Sequence, residues 1–205
     1  FVTGNPVREN IITASHTREA AHHFFGLHPN KKTILIVGGS LGANSINEVI
    51  YNNLDGFASL DLQLVWQTGK TSATKYANAA TSYSNVWVGA FIAEMDMAYA
   101  VADTVISRAG AMSVAEICVA GKPAVFVPYP FAAEDHQTAN AKYLVNNQAA
   151  LLVPDAQAAA TLFDTVTKLA LDTDQQQTFI KNLQPLAITN AAEVVVTKIL
   201  EYVRA

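Results

Sequence analysis

Short apolar runs and amphipathic repeats alternate along most of this chain. Thr33–Val37 is a continuous run of aliphatic and β-branched residues that stops at two glycines, which is typical of a buried parallel strand. Ile46, Val49, Ile50 and Leu54 follow at intervals of three and four residues. That spacing predicts a helix with one apolar face that packs on a sheet.

The same alternation continues to residue 153. It predicts further strands at residues 62–66, 86–89, 104–107, 124–128 and 150–153, and helices at residues 17–25, 72–80, 93–101, 112–120 and 136–146. Each parallel strand needs a right-handed crossover that returns over the sheet, so the pattern predicts an α/β fold with a Rossmann-like, doubly wound parallel sheet. Ligands of such sheets bind beyond the carboxyl ends of the strands.

The pattern becomes purely helical from Ala156 onward. Val194, Ile199 and Val203 share one face of the last helix, and we expect that face to pack across the sheet rather than on a partner. We therefore divide the chain into a linker with a first helix at residues 1–30, a Rossmann-like domain at residues 31–188 and a C-terminal helix at residues 189–205.

The chain opens on Phe1 rather than Met. Residues 2–6 resemble a strand that runs into a linker, so we expect the chain to continue from a preceding segment.

Composition places the chain among ordinary globular proteins. It has 205 residues, 51% of them hydrophobic, which is enough for one large core. The net charge is −4 and the 13 Lys and Arg residues are scattered, which argues against nucleic acid as a partner. Residues 123–133 form the longest apolar stretch, but it contains three prolines and is too short to span a bilayer, so we expect a cytoplasmic location. The single Cys118 is interpreted as a buried hydrophobe rather than a nucleophile.

The turn Gly38-Gly39-Ser40-Leu41-Gly42-Ala43 is the first loop that could carry chemistry. Its glycines would let the backbone approach a phosphate, the N–H groups of the following helix would point at it, and the Ser40 hydroxyl would add a donor. Glycines equally serve tight strand-to-helix packing, so both interpretations stay open. The spacing GGxxGA is neither a Walker motif nor a dinucleotide fingerprint.

The second loop also has small residues at the start of a helix. Its sequence is Arg108-Ala109-Gly110-Ala111-Met112-Ser113-Val114-Ala115-Glu116. Met112, Ser113 and Glu116 lie three or four positions apart and so share a face. The Glu116 carboxylate could accept two hydrogen bonds from a ribose diol. Taken alone, Glu116 is better explained as an acid that complements the helix dipole.

The third loop, residues 128–137, runs into a helix that carries His136, Gln137 and Asn140. Gln137 and Asn140 lie on one face, and amide side chains both donate and accept, as the recognition of several sugar hydroxyls requires. A metal site at residues 134–136 is disfavoured because consecutive residues at a helix start point in different directions. Helix capping explains the acidic residues there.

Together these loops resemble the C-terminal, donor-binding half of the MurG family, the bacterial glycosyltransferases that make lipid II for peptidoglycan. The motifs occur in the family's order: Thr3-Gly4-Asn5-Pro6-Val7-Arg8, Gly38-Gly39-Ser40-Leu41-Gly42-Ala43, Phe91-Ile92 before Met95, the run from Arg108 to Glu116, and Asp135-His136-Gln137 before Asn140. They span most of the chain. The resemblance implies a GT-B glycosyltransferase with two Rossmann-like domains, of which this chain is the C-terminal half.

The resemblance also implies an activity. It is the inverting, metal-independent transfer of N-acetylglucosamine from UDP-GlcNAc to lipid I, with no cofactor. The lipid acceptor and the general base would belong to a missing N-terminal half, so this chain is expected to bind UDP-GlcNAc without catalysing. The intact enzyme would be peripheral to the cytoplasmic face of the inner membrane, and the last helix would be free to pack towards the missing domain.

Site residues are implied in the same way. They are Gly39, Ser40, Leu41, Gly42 and Arg8 for the diphosphate, Ile92 and Met95 for uracil, Glu116 for the ribose, and Ala111, Met112, Ser113, His136, Gln137 and Asn140 for the sugar. The backbone of Ile92 would pair with the uracil edge. Two positions depart from the commoner family pattern, since His136 and Leu41 stand where Gln is frequent. No catalytic residue and no metal ligand is assigned to this half.

Three other functions share part of this pattern. A non-hydrolysing UDP-GlcNAc 2-epimerase has the same architecture and donor, but residues 109–116 fit the transferase better. A stand-alone sugar-nucleotide sensor would need no acceptor domain, and the start at Phe1 argues against it. A dehydrogenase is least favoured, because the glycine turn departs from the dinucleotide fingerprint and no acidic residue ends the second strand.

Overall fold

A computed structural model describes residues 3–204. Its single sheet has six parallel strands, β1 (Thr33–Val37), β2 (Gln63–Gln67), β3 (Val86–Gly89), β4 (Thr104–Ser107), β5 (Ala124–Phe126) and β6 (Leu151–Leu152). The helices are α1 (Glu9–Ile12), α2 (Arg18–Phe25), α3 (Asn44–Asn52), α4 (Leu54–Ser59), α5 (Ala73–Ala80), α6 (Met95–Val101), α7 (Ala111–Ala120), α8 (His136–Asn146), α9 (Ala158–Leu171), α10 (Thr173–Leu183) and α11 (Ala191–Arg204).

The strand order across the sheet is β3-β2-β1-β4-β5-β6. β1 lies in the middle and pairs with both β2 and β4, so that Leu35 faces Val65 on one side and Val105 on the other. The winding direction reverses between β1 and β4. In a sheet of this kind, that reversal opens a crevice at the carboxyl ends of the two strands. The predicted Rossmann-like, doubly wound parallel sheet is therefore confirmed.

Side-chain alternation along the strands divides the core into two layers. Ile34, Ile36 and Trp66 are fully buried on one face, under α3, α4 and α9. Leu35 and Val65 are fully buried on the other face, under α2, α6, α7 and α8. Both faces of the sheet are thus covered by helices, and chemistry is restricted to its edges.

Most predicted elements match the structure closely. The strands at 33–37, 86–89 and 104–107 and the helix at 136–146 have the predicted bounds, and the other elements up to residue 153 shift by one or two residues, apart from the helix that follows the glycine turn. The helix predicted across residues 46–54 is instead two helices that break at Asn53, whose side chain donates to the Val49 carbonyl. Such local side-chain bonds compete with helix continuation. The sequence pattern did not predict the short helix α1, which lies in the predicted linker.

The prediction that α11 packs across the sheet is wrong. Ile199 and Val203 are 56% and 77% exposed, and Val194 is only half-buried. The reason is that other helices already cover both faces of the sheet, so that Ala191 is the one buried residue among residues 191–203 of α11. The strand suggested at residues 2–6 has no counterpart in residues 3–6, and Val2 lies outside the described residues.

Cys118 is buried on α7, and burial raises the pKa of its thiol to about 11, which agrees with a packing role. Among residues 3–204, no helix combines the length and the apolar character needed to cross a bilayer.

Candidate functional site

A cleft of about 620 Å³ opens at the carboxyl edge of β1, β4 and β5. Its walls come from four parts of the chain: the glycine turn with the start of α3, the start of α7, residues 129–131 with Gln137, and Asp155. These segments follow successive strands across the point where the sheet reverses direction. The cleft therefore occupies the position at which ligands bind to doubly wound sheets.

The glycine turn is a tight backbone loop. Gly39 and Gly42 have φ angles of 88° and 84°, in the left-handed region that favours glycine, and the Gly42 N–H donates to the Gly39 carbonyl at 3.1 Å. A Cβ atom on Gly42 would lie 2.1 Å from the Thr68 carbonyl oxygen. Ser40 and Leu41 are exposed at the tip. The turn is thus shaped by close backbone packing, and it also leaves the Ser40 hydroxyl in solvent.

Three helices begin at this cleft. Asn44 and Ser45 of α3, Gly110 and Ser113 at the start of α7, and Gln137 of α8 all line it. The first bond inside α3 runs from Asn47 to Ala43 and the first inside α7 from Val114 to Gly110, so the preceding N–H groups lack helical partners. Each helix start also carries about half a positive charge. These N–H groups and helix dipoles together favour the binding of an anion in the cleft.

Arg108 places a guanidinium in the cleft, where it forms an ion pair with the Asp155 carboxylate. It directly follows β4, and its Nη1 donates to the carbonyls of Val127 and Pro128 at 3.0 Å each and to Asp155 Oδ1 at 2.5 Å. Its Nη2 donates to the Ser45 hydroxyl at 3.0 Å. These bonds fix the guanidinium between β5 and α3. Sequence reasoning assigned no role to Arg108, although a cation just across the sheet reversal from a glycine turn was a usable signal.

Two aromatic side chains form the outer rim of the cleft. Tyr129 and Phe131 make an edge-to-face pair with ring centroids 5.7 Å apart, and Phe131 is 81% exposed. The Arg108 guanidinium lies 5.6 Å from the centre of the Tyr129 ring. The rim was not predicted, because nothing in the sequence shows which way the proline-rich loop turns.

The start of α8 presents the predicted amide side chains. Glu134 and Asp135 both adopt left-handed φ angles, 51° and 50°, and so bend the chain sharply into the helix. Gln137 Oε1 accepts from the Tyr129 N–H at 3.0 Å, and Asn140 Nδ2 donates to the Ala109 carbonyl at 3.0 Å. One atom of each amide thus holds a loop in place. Gln137 lines the cleft, whereas Asn140 lines a separate cavity of about 190 Å³ together with Asn5 and Ala111.

Glu116 lies on α7 and is largely buried. Its Oε1 accepts from Nε and Nη2 of Arg8 at 3.2 and 3.0 Å, and its Oε2 accepts from the Tyr99 hydroxyl at 3.3 Å. Burial, and then the adjacent carboxylate, raise the pKa of Tyr99, so its phenol stays protonated and donates. Arg8 was predicted to contact a diphosphate. In the structure its guanidinium is bonded to Glu116, and Arg8 does not line the cleft.

The loop after β3 carries Ile92 and Met95, both buried. The Ile92 N–H donates to Gln67 Oε1 at 2.9 Å, and Met95 is the first residue of α6. Gln67, at the end of β2, was not singled out from the sequence. Its amide also donates to the Gly39 carbonyl at 3.1 Å, so that this loop is joined to the glycine turn.

A model of the glycosyltransferase family 28 C-terminal domain matches residues 33–195, which contain all six strands and the cleft. The chain belongs to this family. Two relatives carry the name UDP-N-acetylglucosamine–N-acetylmuramyl-(pentapeptide) pyrophosphoryl-undecaprenol N-acetylglucosamine transferase. The one from Parabacteroides distasonis is 45% identical over 98% of this chain and 55% of its own length, and the one from Flavobacterium psychrophilum is 42% identical over 100% and 56%.

The crystal structure of Acinetobacter baumannii MurG resembles this family 28 domain with a TM-score of 0.72 and 32% sequence identity. The match covers 93% of this chain and 55% of that one. The predicted fold class, the C-terminal half of a GT-B glycosyltransferase, is confirmed. The family 28 domain described here spans about half the length of the relatives it matches.

Within the family 28 domain, the predicted site residues fall into two groups. Those that line the cleft are Gly39, Gly42, Ser113 and Gln137. Those that do not line it are Ser40 and Leu41 at the turn tip, Met112 in the first turn of α7, His136 on α8, Glu116 with Arg8, Ile92 with Met95, and Ala111 and Asn140, which line a separate cavity.

Carboxylate and imidazole groups of the family 28 domain are dispersed. Over residues 3–204, no three side chains of His, Cys, Asp or Glu come close enough to hold a metal ion together. The His136 ring bonds instead to the Ala133 carbonyl, with Nδ1 and the oxygen 2.7 Å apart.

Proposed function

We propose that this chain is the donor-binding domain of an inverting N-acetylglucosaminyltransferase that converts lipid I to lipid II in peptidoglycan synthesis. The observation that carries the proposal is the convergence of three helix starts and Arg108 on one cleft beside the glycine turn. Such an arrangement suits a diphosphate. Membership in family 28 and the names of the relatives point to UDP-GlcNAc as the nucleotide sugar.

The diphosphate would bind along the glycine turn. Backbone N–H groups of residues 39–41 and the exposed Ser40 hydroxyl offer donors, and the helix dipoles favour the negative charge. These positive groups support binding without a divalent ion. Arg8 would reach the diphosphate by turning away from Glu116, and its side chain is 45% exposed, which leaves it room to move.

The uridine would lie beyond β3 and α7. Because the Ile92 N–H is already bonded to Gln67, the Ile92 carbonyl is the group we assign to the uracil N3–H, with Met95 packed beneath. Adenine has no donor at the equivalent ring nitrogen, so this contact would discriminate against ADP. Glu116 would accept the ribose hydroxyls through Oε2, which is held only by the 3.3 Å bond from Tyr99.

The N-acetylglucosamine would meet the starts of α7 and α8. Gln137 can donate through its amide nitrogen and Asn140 can accept through its amide oxygen, because the other atom of each amide is fixed by a loop. Ser113, His136 and the first-turn N–H groups of Ala111 and Met112 complete the proposed sugar contacts.

Transfer itself would need the rest of the enzyme. This chain covers about 55% of the relatives' length, and we propose that the other part supplies the lipid acceptor site, the general base and the contact with the cytoplasmic face of the membrane. The donor domain would stabilise the departing UDP through the helix starts and the Arg108 guanidinium at the cleft. The exposed apolar side of α11, at Ile199 and Val203, would pack towards that other part.

Titration calorimetry of this chain with UDP, UDP-GlcNAc and ADP tests the proposal. We expect UDP and UDP-GlcNAc to bind at least about tenfold more tightly than ADP, the worth of about one hydrogen bond. EDTA should leave the UDP affinity unchanged. Equal or tighter ADP binding would contradict the proposed donor, and binding that occurs only with added magnesium would contradict a diphosphate held by protein groups alone.

A further inference from the structure

One buried amide joins the two loops that the proposed nucleotide would touch. Gln67 is the last residue of β2 and is 3% exposed. It pairs with Val37 of β1 on one side and with Gly89 of β3 on the other. It therefore stands between the strand that leads into the glycine turn and the strand that leads into the Ile92 loop.

Both ends of this amide are used. Nε2 donates to the Gly39 carbonyl at 3.1 Å, and Oε1 accepts from the Ile92 N–H at 2.9 Å. Only one orientation of the amide satisfies both bonds, because one partner is an acceptor and the other a donor. The side chain thus sets the distance between the two loops directly.

We propose that Gln67 is a positioning residue that holds the glycine turn and the Ile92 loop at the spacing of one nucleoside diphosphate. The inference rests on the proposed function. Two sites held at a fixed spacing bind a linked ligand far more tightly than its separate parts, because the second contact costs little further entropy. Gln67 touches neither the base nor the phosphates and acts through the two loops.

Backbone contacts support the same connection. The Gly69 N–H donates to the Ala90 carbonyl at 3.1 Å, and the Lys70 N–H donates to the Ser40 carbonyl at 3.4 Å. The segment after β2 is therefore wedged between the two loops. Gln67 lies where this segment begins, so a change of its side chain would weaken the contacts to the glycine turn and to the Ile92 loop together.

The same strand contains a matched control. Gln63, at the amino end of β2, is 2% exposed and also bridges two elements. Its Oε1 accepts from the His28 N–H at 2.6 Å, and its Nε2 donates to the His28 carbonyl at 2.9 Å and to Thr33 Oγ1 at 3.3 Å. It differs from Gln67 because it lies at the amino ends of the strands, away from the cleft.

The test compares affinities of UDP and uridine in the wild type, Gln67→Met and Gln63→Met. Methionine has a similar shape but cannot replace either hydrogen bond. Loss of these bonds frees the glycine turn from the Ile92 loop. We expect the ratio of UDP affinity to uridine affinity to fall about tenfold in Gln67→Met and to stay unchanged in Gln63→Met, although both variants lose thermal stability.

Gln67→Asn serves as a second variant, since its amide is one carbon shorter and cannot reach both loops. Thermal melts followed by circular dichroism identify the variants that fold. An unchanged ratio in a folded Gln67 variant, or an equal fall in Gln63→Met, would overturn the positioning role. A wild-type chain that binds no UDP would refute the proposed function itself and the inference with it.

Discussion

Glu116 illustrates how one side chain combines a structural bond with a proposed ligand contact. Its Oε1 is occupied by Arg8, whereas its Oε2 is held only weakly by Tyr99. If Oε2 accepts a ribose hydroxyl, Glu116→Ala should weaken UDP binding by about 1–3 kcal/mol, as expected for hydrogen bonds to a charged acceptor. Titration calorimetry of the variant measures this loss.

A matched control separates the ribose contact from the loss of an ion pair. The Asp103 side chain is 13% exposed, against 12% for Glu116, and it pairs with Arg18 and Lys32 at the amino end of β4. Asp103→Ala should leave UDP affinity unchanged. The wild type should bind 2′-deoxy-UDP more weakly than UDP, whereas Glu116→Ala should bind the two alike. If Glu116→Ala still binds UDP more tightly than 2′-deoxy-UDP, Glu116 does not contact the ribose and its role is structural.

At the residue scale, the sequence predicts local chemistry better than long-range pairing. The glycines at 39 and 42 were identified from their position after a buried strand, and both have left-handed φ angles. The bond between Arg8 and Glu116 joins residues 108 positions apart. No periodicity encodes that pairing, and the bridging role of Gln67 was missed for the same reason.

The loop after β2 is the element that fixes the shape of the glycine turn. Gly69 has a φ of 80°, and a Cβ atom there would lie 2.1 Å from the Gly42 nitrogen and 2.3 Å from the Leu41 carbonyl carbon. Because these are backbone atoms, Gly69→Ala must displace the turn. We expect a loss of stability of about 1–3 kcal/mol and weaker UDP binding, measured by denaturant unfolding and calorimetry.

Gly26→Ala provides the comparison for backbone strain alone. Gly26 ends α2 with a φ of 65°, and a Cβ atom there would meet nothing within 4 Å. This variant should lose about 1 kcal/mol of stability and keep its UDP affinity. If Gly69→Ala binds UDP as tightly as Gly26→Ala does, the loop after β2 does not shape the site.

Helices and strands were predicted well where burial of one face gives the apolar residues a regular spacing along the sequence. The strands β3 and β4 and the helix α8 have their predicted bounds. The break at Asn53 and the orientation of α11 were not predictable in the same way. The first depends on a single side-chain bond, and the second on which sheet faces other helices already occupy.

For the whole molecule, the sequence could indicate a doubly wound sheet but not the depth or lining of its cleft. The cleft arises because the sheet reverses direction between β1 and β4, which brings the starts of α3, α7 and α8 to one place. Arg108 and the rim formed by Tyr129 and Phe131 become neighbours only through that topology. We propose that this convergence holds the diphosphate of UDP-GlcNAc.

A crystal structure of this chain with UDP-GlcNAc tests that claim most directly. We predict diphosphate oxygens within hydrogen-bonding distance of the Ser40 hydroxyl and the N–H groups of the glycine turn, with the ribose at Glu116 and the sugar at Gln137 and the first-turn N–H groups of α7. A nucleotide sugar bound with its diphosphate away from the glycine turn and the starts of α3 and α7 would contradict this proposal.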